Sequence, residues 1–579
     1  VSFHLSKYHL RRTTARPLPG ATMRRRLTLA ISTIGLVALL AACTGVNAGP
    51  PTTGSDVPAG TISESQSNAA GSSAVLTAPA QVNPGAVPGI ATNDVWVSSA
   101  INKVDALASA TMDRTGIPGM AVAVIHNGEI VFAKGYGVRE VGKPETVDTD
   151  TVFQLASLSK PLGSTVVAKE IGNGTVSWAT PVAAHLPGFT LADPYVTQNV
   201  TIGDMYSHRS GLPDHAGDLL EDLGYDRAQT IARLQYLPLE PFRAVYNYTN
   251  WGLTAAAESV ADAAGTDWAT LSEKDLYGPL GMTHTSSRFA DFQAAPNHAV
   301  GHVQVGGNYQ AKYVRDPDPE SPAGGVSSSV TDVATWLAMV LNGGKAADGT
   351  QVVDPAALRA ALTPQMRAVT GSAIPAQING RAGSYGYGFN VSNDASGRVR
   401  ISHSGAFGQG AGTNFLAIPD LDLGIVVLTN AAPNGTAEGL TADFADLAEF
   451  GAQQQDWPSI FSAALTPLGA PVGSLVGETA PASPAPASAP AAYVGTYQND
   501  YYGPATVSQT GSGLTLTLGP ANQQFPLTHW DGQVFTMVPT GENAPDGSVS
   551  AVTFDVTGDT ASAMTIEFYD GNKLGTFRR

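Results

Sequence analysis

The stretch FQLASLSKPLGSTVVAKEIGNG, Phe153 to Gly174, places Ser157 three residues ahead of Lys160. A serine hydroxyl attacks a carbonyl only when a base takes its proton. An amine can be that base once burial lowers its pKa from about 10.4 towards 7–8. On a helix, residues three apart share a face with Cβ atoms roughly 5–6 Å apart, within reach of such a transfer. Alone, the pair is weak: about one S-x-x-K arises by accident in a chain this long. A serine helix cap and a solvated lysine explain it better in isolation. Two further stretches bear on the choice. VYNYTNWGLTAAAESVADAAG carries Tyr248-Thr249-Asn250, and ISHSGAFGQG carries His403-Ser404-Gly405. Taken singly, Asn250 is a helix cap, Tyr248 a core aromatic, and His403 a strand residue followed by a bulge glycine.

The elements that must position these groups follow from pattern. After Ser157 the spacing predicts an amphipathic helix, with Pro161 tolerated in the first turn and Gly172 and Gly174 as the stop. Leu158, Leu162, Thr165, Val166 and Lys169 form its mostly apolar stripe. Ser157 then lies at the positive end of the helix dipole, where a developing oxyanion is favoured. A second helix is expected from about Gly252, and His403-Ser404-Gly405 at the end of a strand. VWVSSAINKVDALASATMD has a helical pattern, and GMAVAVIHNGEIVFAKGYG forms two β-rich runs about an Asn127-Gly128 turn. RVRISHSGAFGQGAGTNFLAIPDLDLGIVVLTN predicts three strands, with turns at 408–412 and 419–422. SSVTDVATWLAMVLNGG puts Val333, Trp336, Leu337, Val340 and Leu341 on one helix face, with Ser329 and Asp332 as a capping box. Strands at both ends of this region with helices between predict an α+β fold (an α/β sandwich): one antiparallel sheet flanked by helices, with a helical insertion. From Tyr493 onward six or more short alternating runs predict a small β-barrel or sandwich.

A chain of 579 residues exceeds one ordinary domain. At its front, MRRRLTLAISTIGLVALLAAC has three arginines, an apolar run and small residues before Cys43, the layout of a secretory signal. The run is too short for a comfortable membrane span. Leu40-Ala41-Ala42-Cys43 resembles a bacterial lipobox, which implies a lipid on Cys43 and a membrane partner through it; Met23 is the expected true start. The expected organisation is 1–42 upstream residues and signal peptide, 43–92 disordered tether, 93–470 catalytic domain, 471–490 Pro/Ala-rich linker and 491–579 C-terminal β-domain. Formal net charge is −17, and seven of the 31 basic residues precede Cys43 while none of the 48 acidic ones does. The remainder is therefore strongly acidic, which argues against nucleic acid as a partner.

Taken in order, SxxK, YxN and HxG resemble the three active-site motifs of the β-lactamase-related serine hydrolases. That family groups class C β-lactamases and penicillin-binding proteins with D-alanyl-D-alanine carboxypeptidases, D-aminopeptidases and some esterases. The likeness runs over about residues 93 to 455, with TIGDMYSHRSGLP (201–213) and SPAGGVSSSVTDVATWL (321–337) as supporting segments. It implies Ser157 as the acylated nucleophile, Lys160 as its proton partner and Tyr248 as acid/base. Asn250 would hold the substrate or Lys160. His403 stands where the family has the lysine of K-T-G, followed by Gly405, and the N–H of Ala406 would join that of Ser157 as an oxyanion hole. An imidazole of pKa about 6.5 is mostly neutral at pH 7, so a substrate carboxylate is expected to be recognised weakly. Loops 213–224 and 291–322 are expected to form pocket walls. The tail, opening YVGTYQNDYYGP, resembles a small β-domain often appended to these hydrolases, and covering the entrance, holding a partner and stabilising the chain all stay open as its role.

No G-x-S-x-G, HExxH or Walker A motif occurs, and no cysteine follows Cys43, so neither a cofactor nor a metal is expected. His208, His215, His284, His298 and His302 are scattered and are expected to be structural or exposed. The leading expectation is an exported, lipid-anchored serine hydrolase acting on a small-molecule or peptide substrate. A receptor that binds cell-wall peptides without turnover is the alternative, and a third possibility makes the tail the functional part.

Overall fold

The computed structural model describes residues 89–368 and 383–579. Cys43, the signal sequence and most of the expected tether lie outside the described residues. The first helix, α1 (Asp94–Thr115), begins where the Asn93 side chain accepts the Trp96 N–H and ends at Gly116 in the left-handed region. Its buried residues Val97, Ala100, Val104, Ala108 and Thr111 recur at helical spacing and lie against the sheet. The chain then forms β1 (Gly119–His126) and β2 (Glu129–Gly137). Asn127 and Gly128 both have positive φ, 54° and 77°, which suits the right-handed twist of a two-residue hairpin.

Six later strands complete the sheet: β3 (Met366–Ala368), β4 (Gly383–Tyr385), β5 (Asn390–Asn393), β6 (Val399–Phe407), β7 (Ala411–Ile418) and β8 (Leu423–Thr429). The order is β2-β1-β8-β7-β6-β5-β4-β3, all pairs antiparallel, so the N-terminal hairpin closes onto the C-terminal strands as expected. Strand alternation sends side chains to two cores. Met120, Val122, Val124, Ile425 and Val427 meet α1 and α7 (Thr436–Phe450), while Ala121, Ala123, Ile125, Val426 and Leu428 join the opposite core. That second core holds α2 (Ser159–Gly172), α4 (Asn250–Ala264), α5 (Trp268–Ser272) and α6 (Val330–Leu341). The result is helices on both faces of one antiparallel sheet.

Four local expectations need correction. Helix α2 is not amphipathic: eleven of its 14 residues are buried, because the segments 355–361 and 321–324 and helix α4 pack around it. Helix α4 starts at Asn250, two residues early, with Thr249 at the N-cap and no side-chain cap bond. At α6 the Ser329 hydroxyl does accept the Asp332 N–H, but the Asp332 carboxylate accepts from His284 N and Thr285 Oγ1, so the reciprocal half of the capping box is spent on tertiary contact. His403 sits in the middle of β6, and Gly405 pairs with Thr413 in unbroken register rather than in a bulge. Gly405 is needed for space: a Cβ there would stand 2.2 Å from Leu155 O and 3.1 Å from Ser157 N.

The tail forms eight antiparallel strands in sequence order, from β9 (Gly495–Tyr497) to β16 (Thr576–Arg578). Gln498 and Arg578 exchange backbone hydrogen bonds of 2.6 and 2.9 Å, which all but closes the sheet into a barrel around Tyr497, Leu516, Phe554 and Phe577. The barrel docks on the helical side: Tyr225 Oη donates to Tyr502 O at 2.8 Å, and Gly217 N to Tyr501 Oη at 3.1 Å. Among the described residues no helix is long and apolar enough to cross a membrane.

Candidate active site

Ser157 lies in a tight turn, Ala156–Leu158, that runs directly into α2. Ala156 takes φ of 49°, a left-handed conformation that costs an L-residue about 1–2 kcal/mol. It is held there because Phe407 and Ala411 pack on its methyl group. The turn presents Ser157 to a cavity of about 1350 Å³ and tucks Lys160 behind it.

Two groups meet this hydroxyl, Lys160 from the next turn of the chain and Tyr248 from 91 residues further along. Lys160 Nζ lies 3.0 Å from Ser157 Oγ, 2.6 Å from Asn250 Oδ1 and 2.9 Å from Ala323 O. Tyr248 Oη donates to Ser157 Oγ at 2.8 Å. The Lys160 ammonium position stands 4.6 Å from the centre of the Tyr248 ring. Lys160 is fully buried, so the solvated-lysine explanation fails. Of the two uses expected for Asn250, the geometry has it holding Lys160. Its Nδ2 in turn donates to Asp218 Oδ2 at 3.2 Å, and His215 Nδ1 lies 2.8 Å from that same oxygen.

Electrostatics follow from burial. Desolvation pushes the Lys160 pKa down to about 7, against the pull of Glu320 and Asp218. Burial drives the Tyr248 phenol well above its ordinary range, so it stays protonated at neutral pH. Asn250 Oδ1 and Ala323 O can only accept. They use the N–H bonds of an uncharged amine and leave its lone pair facing the Ser157 hydroxyl.

His403 is completely buried behind this group, with Nε2 2.8 Å from Tyr385 Oη and Nδ1 2.7 Å from Ser404 O. Desolvation and the neighbouring Lys160 take its pKa down to about 3. Its ring lines no part of the cavity, whereas Ser157, Tyr248, Asn250 and Ala406 all do. Gly405 brings β6 against the Ser157 amide, as its missing Cβ requires.

Sequence reasoning missed several groups. His215 is neither scattered nor exposed; with Asp218 it is wired to Asn250 and faces the cavity. A helical turn, α3 (Asp218–Asp222), also carries Glu221, which pairs with Arg315 at 2.8 Å, and Arg315 reaches Glu320 at 2.8 Å. The acid-rich run DLLED inside loop 213–224 was the available signal. Residues Gly541–Asp546 of the C-terminal barrel line the same cavity, and nothing in their composition marks them. Among the described residues no cluster of His, Cys, Asp and Glu could hold a metal ion.

Against known proteins, residues 104–450 match the Beta-lactamase family model, and residues 479–576 match a domain of unknown function, DUF3471. The chain is 32% identical over 248 residues to Penicillin-binding protein 4 of Amycolatopsis lactamdurans, covering 42% of this chain and 64% of that protein. It is 28% identical over 247 residues to Unguisins hydrolase ungD of Aspergillus violaceofuscus, covering 39% of this chain and 42% of that one. It thus spans less than two thirds of either relative. D-alanyl-D-alanine-carboxypeptidase/endopeptidase AmpH of Escherichia coli K12 is 25% identical over 335 residues, covering 57% of this chain and 84% of AmpH. The octameric penicillin-binding protein homologue from Pyrococcus abyssi superposes with a TM-score of 0.53 at 19% identity, over 83% of this chain and 100% of that one, a likeness of fold. Since the matched segment 104–450 is more than half of the chain, and carries the sheet, α2 and the Ser157 cluster, this protein belongs to the Beta-lactamase family.

Proposed function

We propose that the protein is a serine hydrolase that forms an acyl-enzyme on Ser157, acting on an ester, an amide or a D-amino-acid peptide bond. The observation that carries this reading is the Ser157 hydroxyl held between a buried amine at 3.0 Å and a buried phenol at 2.8 Å. Lys160 is the resting base and Tyr248 the proton donor, since burial leaves the amine near neutrality and the phenol protonated. Ser157 Oγ bonds to the carbonyl carbon as its proton passes to Lys160 Nζ. The carbonyl oxygen becomes an oxyanion facing the N–H groups of Ser157 and Ala406, each such donor being worth on the order of 10²–10³ in rate. Tyr248 gives its proton to the leaving oxygen or nitrogen as that bond breaks, and recovers one from the Lys160 ammonium. Water then attacks the acyl-enzyme along the same proton path, releasing the acid and restoring Ser157.

Uncharged above about pH 3, His403 provides no cation for a substrate carboxylate. This favours an esterase or peptidase over an efficient β-lactamase, and nitrocefin turnover at a true β-lactamase rate would remove that preference. The signal-like segment and Cys43 support export and lipid anchoring at the cell envelope. We also take 93–470 as the catalytic domain, 471–490 as linker and 491–579 as the appended β-domain. A fluorophosphonate probe with mass spectrometry tests the central reading. Labelling at Ser157 that vanishes in Ser157→Ala supports it; absence of labelling, or labelling that persists in the variant, favours the binding-protein alternative.

A further inference from the structure

The far wall of the Ser157 cavity belongs to the C-terminal barrel. Gly541–Asp546 crosses from the barrel to the cavity and is fixed at both ends. Asp222 accepts from Glu542 N at 2.8 Å, Asn543 N at 3.1 Å and Asn543 Nδ2 at 2.9 Å. Gly541, at φ of 121°, makes that seat possible, since a Cβ there would lie 2.3 Å from Asp222 Cγ. At the other end Asp546 meets Lys312 Nζ at 2.6 Å and the Tyr313 hydroxyl. The loop is therefore anchored without help from the Glu542 side chain.

That side chain points across the cavity. Its carboxylate accepts from the backbone N–H of Gly408 and, at 3.3 Å, from that of Gln409, in the turn between β6 and β7. Arg315 Nε lies 4.0 Å away. Two convergent amides beside a guanidinium are the donors from which a carboxylate site is made. Here the chain's own carboxylate fills it, a few residues along β6 from Ala406. Glu221 and Glu320 already pair with Arg315, so a further anion would join three carboxylates around one cation. A substrate carboxylate would have to displace Glu542 from its donors or stand beside it, and both are unfavourable in a half-buried site.

We propose that the C-terminal domain is part of the substrate site, with Glu542 the specificity-determining residue that shuts carboxylate-bearing chains out of the end of the cavity formed by Gly408, Gln409 and Arg315. The substrate class that follows is neutral or cationic at that end. This rests on the acyl-enzyme reading, and the test keeps the two apart. Mono-4-nitrophenyl esters of straight-chain diacids and neutral 4-nitrophenyl alkanoates of equal length are compared by kcat/KM at pH 8, where Glu542, its pKa pushed to about 7 by burial, is largely ionised. The wild-type chain is expected to prefer the neutral ester at each length. In Glu542→Gln the diacid-to-neutral ratio rises about tenfold for at least one length, and Glu542→Asp keeps the wild-type ratio. Glu542→Ser serves as a second neutral variant should the first not fold. Equal wild-type turnover of both series, or a ratio unchanged in the neutral variants, overturns the role of Glu542 alone. Absence of any Ser157-dependent turnover overturns the acyl-enzyme reading and this inference with it.

Discussion

Removing one oxygen, in Tyr248→Phe, separates the proton-donor role from the structural one. The ring is 7% exposed and packs 4.5 Å from the His208 ring, centre to centre, and none of that packing involves the hydroxyl. The hydroxyl makes one side-chain bond, 2.8 Å to Ser157 Oγ. Its loss should lower stability by about 1 kcal/mol, a typical net value for one hydrogen bond. Catalysis should suffer more. A positioned general acid contributes roughly 10²–10⁴ in rate, or about 3–5 kcal/mol at 1.36 kcal/mol per tenfold. The size depends on the leaving group, because 4-nitrophenolate departs as a stable anion whereas an alkoxide or amine needs a proton. The assay is kcat/KM of wild type and Tyr248→Phe on a 4-nitrophenyl ester, and on an alkyl ester or amide with the same acyl part. The expected loss is near the bottom of the range for the first and near the top for the second. Equal losses on both, or losses below tenfold on both, would refute the assignment of Tyr248 as proton donor, whatever Ser157 does.

Lys160, at about 7, must be uncharged to take the serine proton; it is protonated below that pH, so kcat/KM should fall roughly tenfold per unit below pH 7 and level off above. Glu320→Gln removes a carboxylate that stabilises the ammonium and should move this limb to lower pH; a profile flat from pH 5.5 to 9 excludes Lys160 as the base. Arg315→Met leaves Glu221 and Glu320 buried without their cation, which should cost about 3–5 kcal/mol in urea unfolding. A loss below 1 kcal/mol would mean that the two carboxyls are already neutral without it.

Much of this architecture was legible because it rests on short-range signals. The Asn127-Gly128 turn, the three strands around His403 and the helix before Gly116 all follow from residues close in sequence. Ser157, Lys160, Tyr248 and Asn250 were legible through spacing and order. What escaped was tertiary. Neither the depth of α2 nor the transfer of Asp332 from its cap to His284 and Thr285 leaves a periodic trace. His215 looked isolated because its partner Asp218 matters only through Asn250, which is 32 residues further along. The Glu542 loop is further still from what it touches, 134 residues beyond Gly408.

The buried helix ties these observations together. An S-x-x-K pair on an exposed helix would leave the lysine charged and useless as a base. Here Asn250, Ala323 and the Tyr248 ring enclose it, and the drop from 10.5 to about 7 corresponds to on the order of 5 kcal/mol between the amine's two charge states. The left-handed Ala156 adds a smaller strain at the same turn. Neither feature helps the chain fold. Both bear on the Ser157 hydroxyl, as expected where folding energy has been traded for reactivity. A serine cap that merely opened a helix would need neither a desolvated amine behind it nor a strained residue in front.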